Sequence, residues 1–105
     1  MYRYLAPIVM ALTMPSAAGA AEVVVQMEGA DYSPSKIEAR VGDVLVFVND
    51  DAVDHDVFVP TAGHGVDLGK QVPGATTVLP LGKPGRFEVE CVIHPQMHIE
   101  VLVRP

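Results

Sequence analysis

The 105-residue chain has one cysteine, Cys91, so no disulfide can form within it. Positive charge is scarce too: seven Lys and Arg stand against thirteen Asp and Glu, a net charge of −6. That balance argues against a nucleic-acid ligand, whose phosphates would be repelled. It suits a basic protein partner, because opposite fields speed encounter. No apolar run reaches the length that a permanent membrane-spanning helix requires. Helical periodicity is absent, and the chain has no internal repeats or linkers. Nor is there a nucleophile beside a base, a glycine-rich phosphate loop or a carboxylate pair placed for acid–base work. The chain does not read as an enzyme.

The first twenty residues read as an address. Arg3 gives a short basic start, 5–14 is almost wholly apolar, and Ser16-Ala17-Ala18-Gly19-Ala20 ends in the small-x-small pattern of a cleavage site. This predicts a signal peptide over 1–20, cleaved after Ala20, and one mature domain over 21–105. The expected location is the periplasm, with no membrane insertion after cleavage and a monomeric state. Small exported domains commonly rely on disulfides, and this one cannot. A lone thiol in an oxidising compartment is a liability unless it is buried or held by a metal, which tilts Cys91 toward a ligand role.

Seven strands are predicted, at 22–27, 36–40, 44–48, 55–59, 75–81, 86–91 and 98–104, with breaks at Gly and Pro. Residues 28–35 read as an irregular link, and 61–74, with four glycines and Pro73, as a long surface loop. In 86–91, Phe87, Val89 and Cys91 share one face while Arg86, Glu88 and Glu90 share the other, so parity points Cys91 inward. The expected fold is all-β, an antiparallel Greek-key β-sandwich.

The chemistry gathers at the end of that strand. Cys91 is followed by His94 and then Met97, each three residues on. A thiolate, an imidazole and a thioether in one tight turn suit a soft or borderline transition metal, copper above all. Pro95 stiffens the turn. His55, at the start of a distant strand, would supply the fourth group. Two imidazoles, a thiolate and a weak thioether give neither Cu(I) nor Cu(II) its preferred geometry, so little need move when an electron comes or goes. An alternative set for structural zinc is His55, Cys91, His94 and His98, although parity turns His98 away from an ion that Met97 faces. His64, in the glycine-rich loop, reads as solvated, and Met27 as core. Asp50, Asp51, Asp54 and Asp56 crowd around His55; they read as a solvated acidic loop, or as a docking patch for a basic partner.

The Cys91–His94–Met97 spacing resembles the ligand loop of the cupredoxins, the blue-copper proteins, in the short form of their amicyanin branch. The likeness extends to residues 34–43 (P-S-K-I-E-A-R-V-G-D), to Asn49 followed six residues later by His55, and to residues 85–91. It implies one copper ion held by His55, Cys91, His94 and Met97, with His94 nearest the surface as the electron's gateway. It also implies that Asn49 hydrogen-bonds toward the loop bearing Cys91. Ile93 and Gln96 stand where the amicyanin loop has a proline and an aromatic, which leaves the partner open. The expected function is a small soluble electron carrier between redox proteins, a cytochrome c-type protein or a dehydrogenase. A copper-handling protein for tolerance or delivery is the alternative on the same fold.

Overall fold

The computed structural model describes residues 19–105, so most of the expected signal peptide lies outside it. Nine strands form two sheets: β1 (Glu22–Glu28), β2 (Asp31–Ser33), β3 (Lys36–Arg40), β4 (Val44–Asn49), β5 (His55–Val59), β6 (Val66–Gln71), β7 (Thr76–Pro80), β8 (Gly85–Glu90) and β9 (His98–Arg104). One sheet runs β2-β1-β4-β7 and the other β3-β9-β8-β5-β6. None of the described residues is helical, and no helix among them is long and apolar enough to cross a membrane.

The all-β sandwich agrees with the reading of the sequence, with two refinements. The sheets are mixed: β1 pairs with β4, and β3 with β9, in parallel, while the other ladders are antiparallel. Two further strands occupy segments read as loop. In the 28–35 link, Gly29 and Ala30 both take positive φ (62° and 55°). This is the two-residue turn that closes a tight hairpin, and it brings Asp31 opposite Glu28. In the glycine-rich segment, β6 pairs along β5 across an irregularity at Val57 and Phe58.

Alternation places the core. Val25 and Met27 of β1, and Leu45 and Phe47 of β4, face Val57 and Val59 of β5, Phe87 and Val89 of β8, and Ile99, Val101 and Val103 of β9; all are buried. Each such side chain contributes about 1.5–3 kcal/mol relative to exposure. Met27 is fully buried in this core, as expected. His64 departs from expectation. It is half-buried and stacked on Phe87, with ring centroids 5.2 Å apart. Gly85 makes room for it, since a Cβ there would lie 3.0 Å from His64 Nε2.

The start of β1 is tied to the β3–β4 turn by Asp43, which accepts from the Arg40 amide at 2.8 Å and the Ala21 amide at 3.0 Å. These bonds, the Arg40 amide foremost, hold its carboxyl below the ordinary value of 3.8. A carboxylate depressed in the folded state stabilises the fold above its unfolded pKa, and that contribution is lost as pH falls through the folded value. Asp43→Asn should therefore lower stability at pH 7 and flatten the acid side of the stability profile. Urea midpoints at pH 7 and pH 3 check this; an equal gap between variant and wild type at both values would exclude it.

Candidate metal centre

The sandwich delivers residues from two distant segments to one pole. His55 opens β5 with its ring fully buried, and Cys91 follows β8 at 2% exposure. β5 and β8 are neighbours, with Phe58 opposite Glu90. The 91–97 turn is closed by its own backbone: His94 N–H donates to Cys91 O at 3.2 Å, Met97 N–H to His94 O at 2.9 Å, and Cys91 N–H to Met97 O at 3.2 Å. Met97 is fully buried just before β9. His94 is half-buried, beside the exposed side chains of Val92 and Ile93.

The ligand atoms of His55, Cys91 and His94 all lie within 4.8 Å of one another. Nδ1 of His55 and Nδ1 of His94 are 3.1 Å apart, and Cys91 Sγ lies 3.7 Å from His94 Nδ1. The thiol is free and accepts from the Asp56 amide at 3.2 Å. Two imidazole nitrogens and one sulfur, sheltered and converging, form a potential copper ligand group. Three of the four residues expected at the site are thus brought together by their ligating atoms. The fourth, Met97, is placed by its backbone at the foot of the same turn.

Tyr32, from the unforeseen β2, lies beneath this group. Its hydroxyl donates to the backbone carbonyl of Asp56, and its ring packs edge-to-face on Phe47 at 6.1 Å. Burial, and then the neighbouring Cys91, Asp56 and Glu90, push this phenol well above its ordinary range. Tyr32 and Cys91 therefore bracket Asp56, one holding its carbonyl and the other taking its amide.

Two expectations about surrounding residues are corrected. Asn49 is buried but does not reach the 91–97 turn. Its Nδ2 donates to Val53 O at 2.9 Å and Gln71 O at 2.8 Å, and its Oδ1 accepts from the Asp51 amide at 2.9 Å. It shapes the loop that precedes His55, and its second backbone partner comes from β6. The acidic loop is not uniformly solvated either. Asp50 is exposed, and Asp54 pairs with Lys70 at 3.7 Å. Asp51, however, is only 19% exposed and sets Oδ2 at 2.8 Å from His55 Nε2.

His98 faces away, as parity requires; it is exposed, with Nε2 3.8 Å from Glu88. It is not part of the group formed by His55, Cys91 and His94, so the tetrahedral zinc set that included it is not assembled. Accordingly, His98→Ala should leave metal affinity within about twofold of wild type, because a surface change away from the site falls within ±0.5 kcal/mol. A competition titration with a chelator checks this; a loss of tenfold or more would bring His98 back as a ligand.

The chain matches the cupredoxin-like domain family over residues 4–103. The protein belongs to the cupredoxin-like family. Among related sequences, it is 32% identical over 76 residues to the methylamine utilization protein MauL of Methylophilus methylotrophus, covering 70% of this chain and 44% of that one. It is 30% identical over 88 residues to MauL of Methylorubrum extorquens, covering 83% and 75%. The chain thus spans under half the length of the first relative and three quarters of the second. Among solved structures, a variant of amicyanin in its Cu(I) form superposes with a TM-score of 0.74 at 21% identity, covering 79% of this chain and 82% of that one. A copper-containing nitrite reductase from Thermus scotoductus superposes at 0.73 with 28% identity, covering 80% of this chain but 22% of the enzyme.

Proposed function

We propose that this protein is an exported type 1 copper protein that carries single electrons between redox proteins. The observation that carries this reading is the convergence of His55, Cys91 and His94, whose donor atoms lie within 4.8 Å of one another. Met97 is proposed as the fourth ligand, because the backbone bonds of the 91–97 turn bring it back beside Cys91 and its side chain is buried. Copper, when bound, would supply a one-electron Cu(I)/Cu(II) couple.

The chain's own residues do the rest. Burial of His55, Cys91 and Met97 excludes water from one side of the centre. The tight 91–97 turn and the Asp56 amide fix the sulfur in one position, so little has to rearrange with the charge. His94 alone among the four is only half-buried. That supports it as the point of electron entry and exit, with Val92 and Ile93 beside it as contact surface for a partner.

Redox partners of the cytochrome c or dehydrogenase type suit this surface, and the MauL relatives favour a role in methylamine utilization. Export fits the leader over residues 1–20. Cleavage after Ala20 would leave the new α-ammonium 3.0 Å from an Asp43 carboxylate oxygen. Adding Cu(II) to metal-free protein tests the central reading. An intense visible charge-transfer band at one equivalent is expected, and a colourless complex would remove it.

A further inference from the structure

β4 is apolar at five positions in succession, Val44-Leu45-Val46-Phe47-Val48, the pattern of a strand covered on both faces. Only its inner face is covered. Leu45 and Phe47 point into the core, while Val44, Val46 and Val48 are half-buried on the outside. The neighbouring strands extend this surface by register. Val46 lies between Val24 of β1 and Val78 of β7, which are 52% and 49% exposed, and Val44 lies beside Pro80. These side chains form one apolar patch across three strands. Around it stand the uncharged Gln26, Ser33 and Thr76, with Glu22 at one corner. The two sheets turn their inner faces to each other, so no described strand remains to cover this outer one. A contiguous apolar patch left on a sheet marks a contact surface.

Charge selects the occupant. Glu28, Asp31 and Asp50, all exposed, border the metal-pole end of the patch, and Asp51, Asp54 and Asp56 stand behind them against Lys70. Arg40, Lys83, Arg86 and Arg104 gather at the opposite end, against Glu22, Glu38 and Asp43. A basic partner is therefore drawn to the metal pole, not to a face with no charge at its middle. What fits a flat, uncharged patch with one acidic and one basic end is the same patch turned end for end. We propose that the outer face of the β2-β1-β4-β7 sheet is the interface of a homodimer whose copies lie antiparallel, related by a two-fold axis that runs between the faces and across the strands. Each acidic end then lies beside the other copy's basic end, whereas a parallel arrangement sets acidic end against acidic end. The axis passes through the row of Val24, Val46 and Val78, so each of these meets its own counterpart. The face is about 20 Å on a side, and two copies bury about 1,200 Å² in total, the lower end of the range for specific contacts. The result is a reversible dimer in place of the monomer expected from the sequence. It leaves both metal poles open at opposite ends and does not depend on the copper reading.

Sedimentation equilibrium of metal-free protein recovered after export, from about 1 μM to about 500 μM, should show a dimer with a Kd of about 10 μM. Val24→Glu and Val24→Lys each set like charges together across the axis, and each alone should weaken association about tenfold or more. An equimolar mixture of these two variants should dimerise again, because unlike charges now meet, and that recovery also shows that both have folded. A wild type that stays monomeric throughout overturns the proposal and leaves the face to another occupant, either residues 1–20 retained uncleaved or a different protein. Dimers that survive both single substitutions lie on another surface and overturn it as well. Failure of the mixture to pair overturns the antiparallel arrangement; a chain carrying both Val24→Glu and Val78→Lys that still dimerises would then show the copies to be parallel.

Discussion

Cys91→Ser protein loaded with Cu(II) should lose the intense visible band entirely and keep its fold. The band expected for wild type arises from charge transfer out of a thiolate sulfur, and a serine oxygen is a harder, far less readily ionised donor. At 2% exposure the site cannot substitute water for the missing sulfur without opening the 91–97 turn. The fold should survive because the new hydroxyl can still accept from the Asp56 amide, which now serves Sγ at 3.2 Å. The destabilisation expected is therefore about 1 kcal/mol, the scale of one altered hydrogen bond. Absorption and far-ultraviolet circular dichroism on the same sample separate the two effects. A band of undiminished strength would show that the colour comes from another donor, and the assignment of Cys91 would fail.

The largest effect on stability is expected at Phe47. Its side chain is fully buried in β4 and packs edge-to-face on Tyr32, whose hydroxyl holds Asp56 next to the sulfur. Phe47→Ala removes a fully buried ring from the core, and should cost about 3–5 kcal/mol. Domains of this size are stable by only about 5–15 kcal/mol in total. The variant should unfold at a much lower urea concentration, with the slope of the transition unchanged. It should also loosen the support beneath the metal centre, so copper should protect it less against unfolding than it protects wild type. A loss below about 1 kcal/mol would mean that the two sheets close over the gap.

Much of this arrangement was legible before any coordinates. The alternation in residues 86–91 placed Phe87, Val89 and Cys91 inward, and all three are buried. The same parity turned His98 outward. The missed elements share a physical cause. β2 has three residues and a single buried side chain, Tyr32, too little for a period to show. β6 follows no clean alternation, because Gly69 takes φ 76° and its ladder with β5 is irregular at Val57 and Phe58. Parallel pairing of β1 with β4 and of β3 with β9 leaves no local mark, since it is decided by which faces meet across the sandwich.

At the site, the spacing of Cys91 and His94 led to the pole where both converge with His55, and Asn49 pointed to the right loop but the wrong partner. The contact that sequence could not offer is Asp51 with His55. Among four neighbouring carboxylates, only the fold distinguishes the one that is turned inward.

β9 lies between β3 and β8, and β3 has no other partner among the described strands. Yet β9 comes after every other described strand in sequence order. Until residues 98–104 are available, the larger sheet has no keystone and the 91–97 turn has no anchor on its far side. A nascent chain of this design stays threadable until synthesis has reached β9. Were the chain exported as proposed, this would delay both closure of the sandwich and capture of a metal until translocation is over.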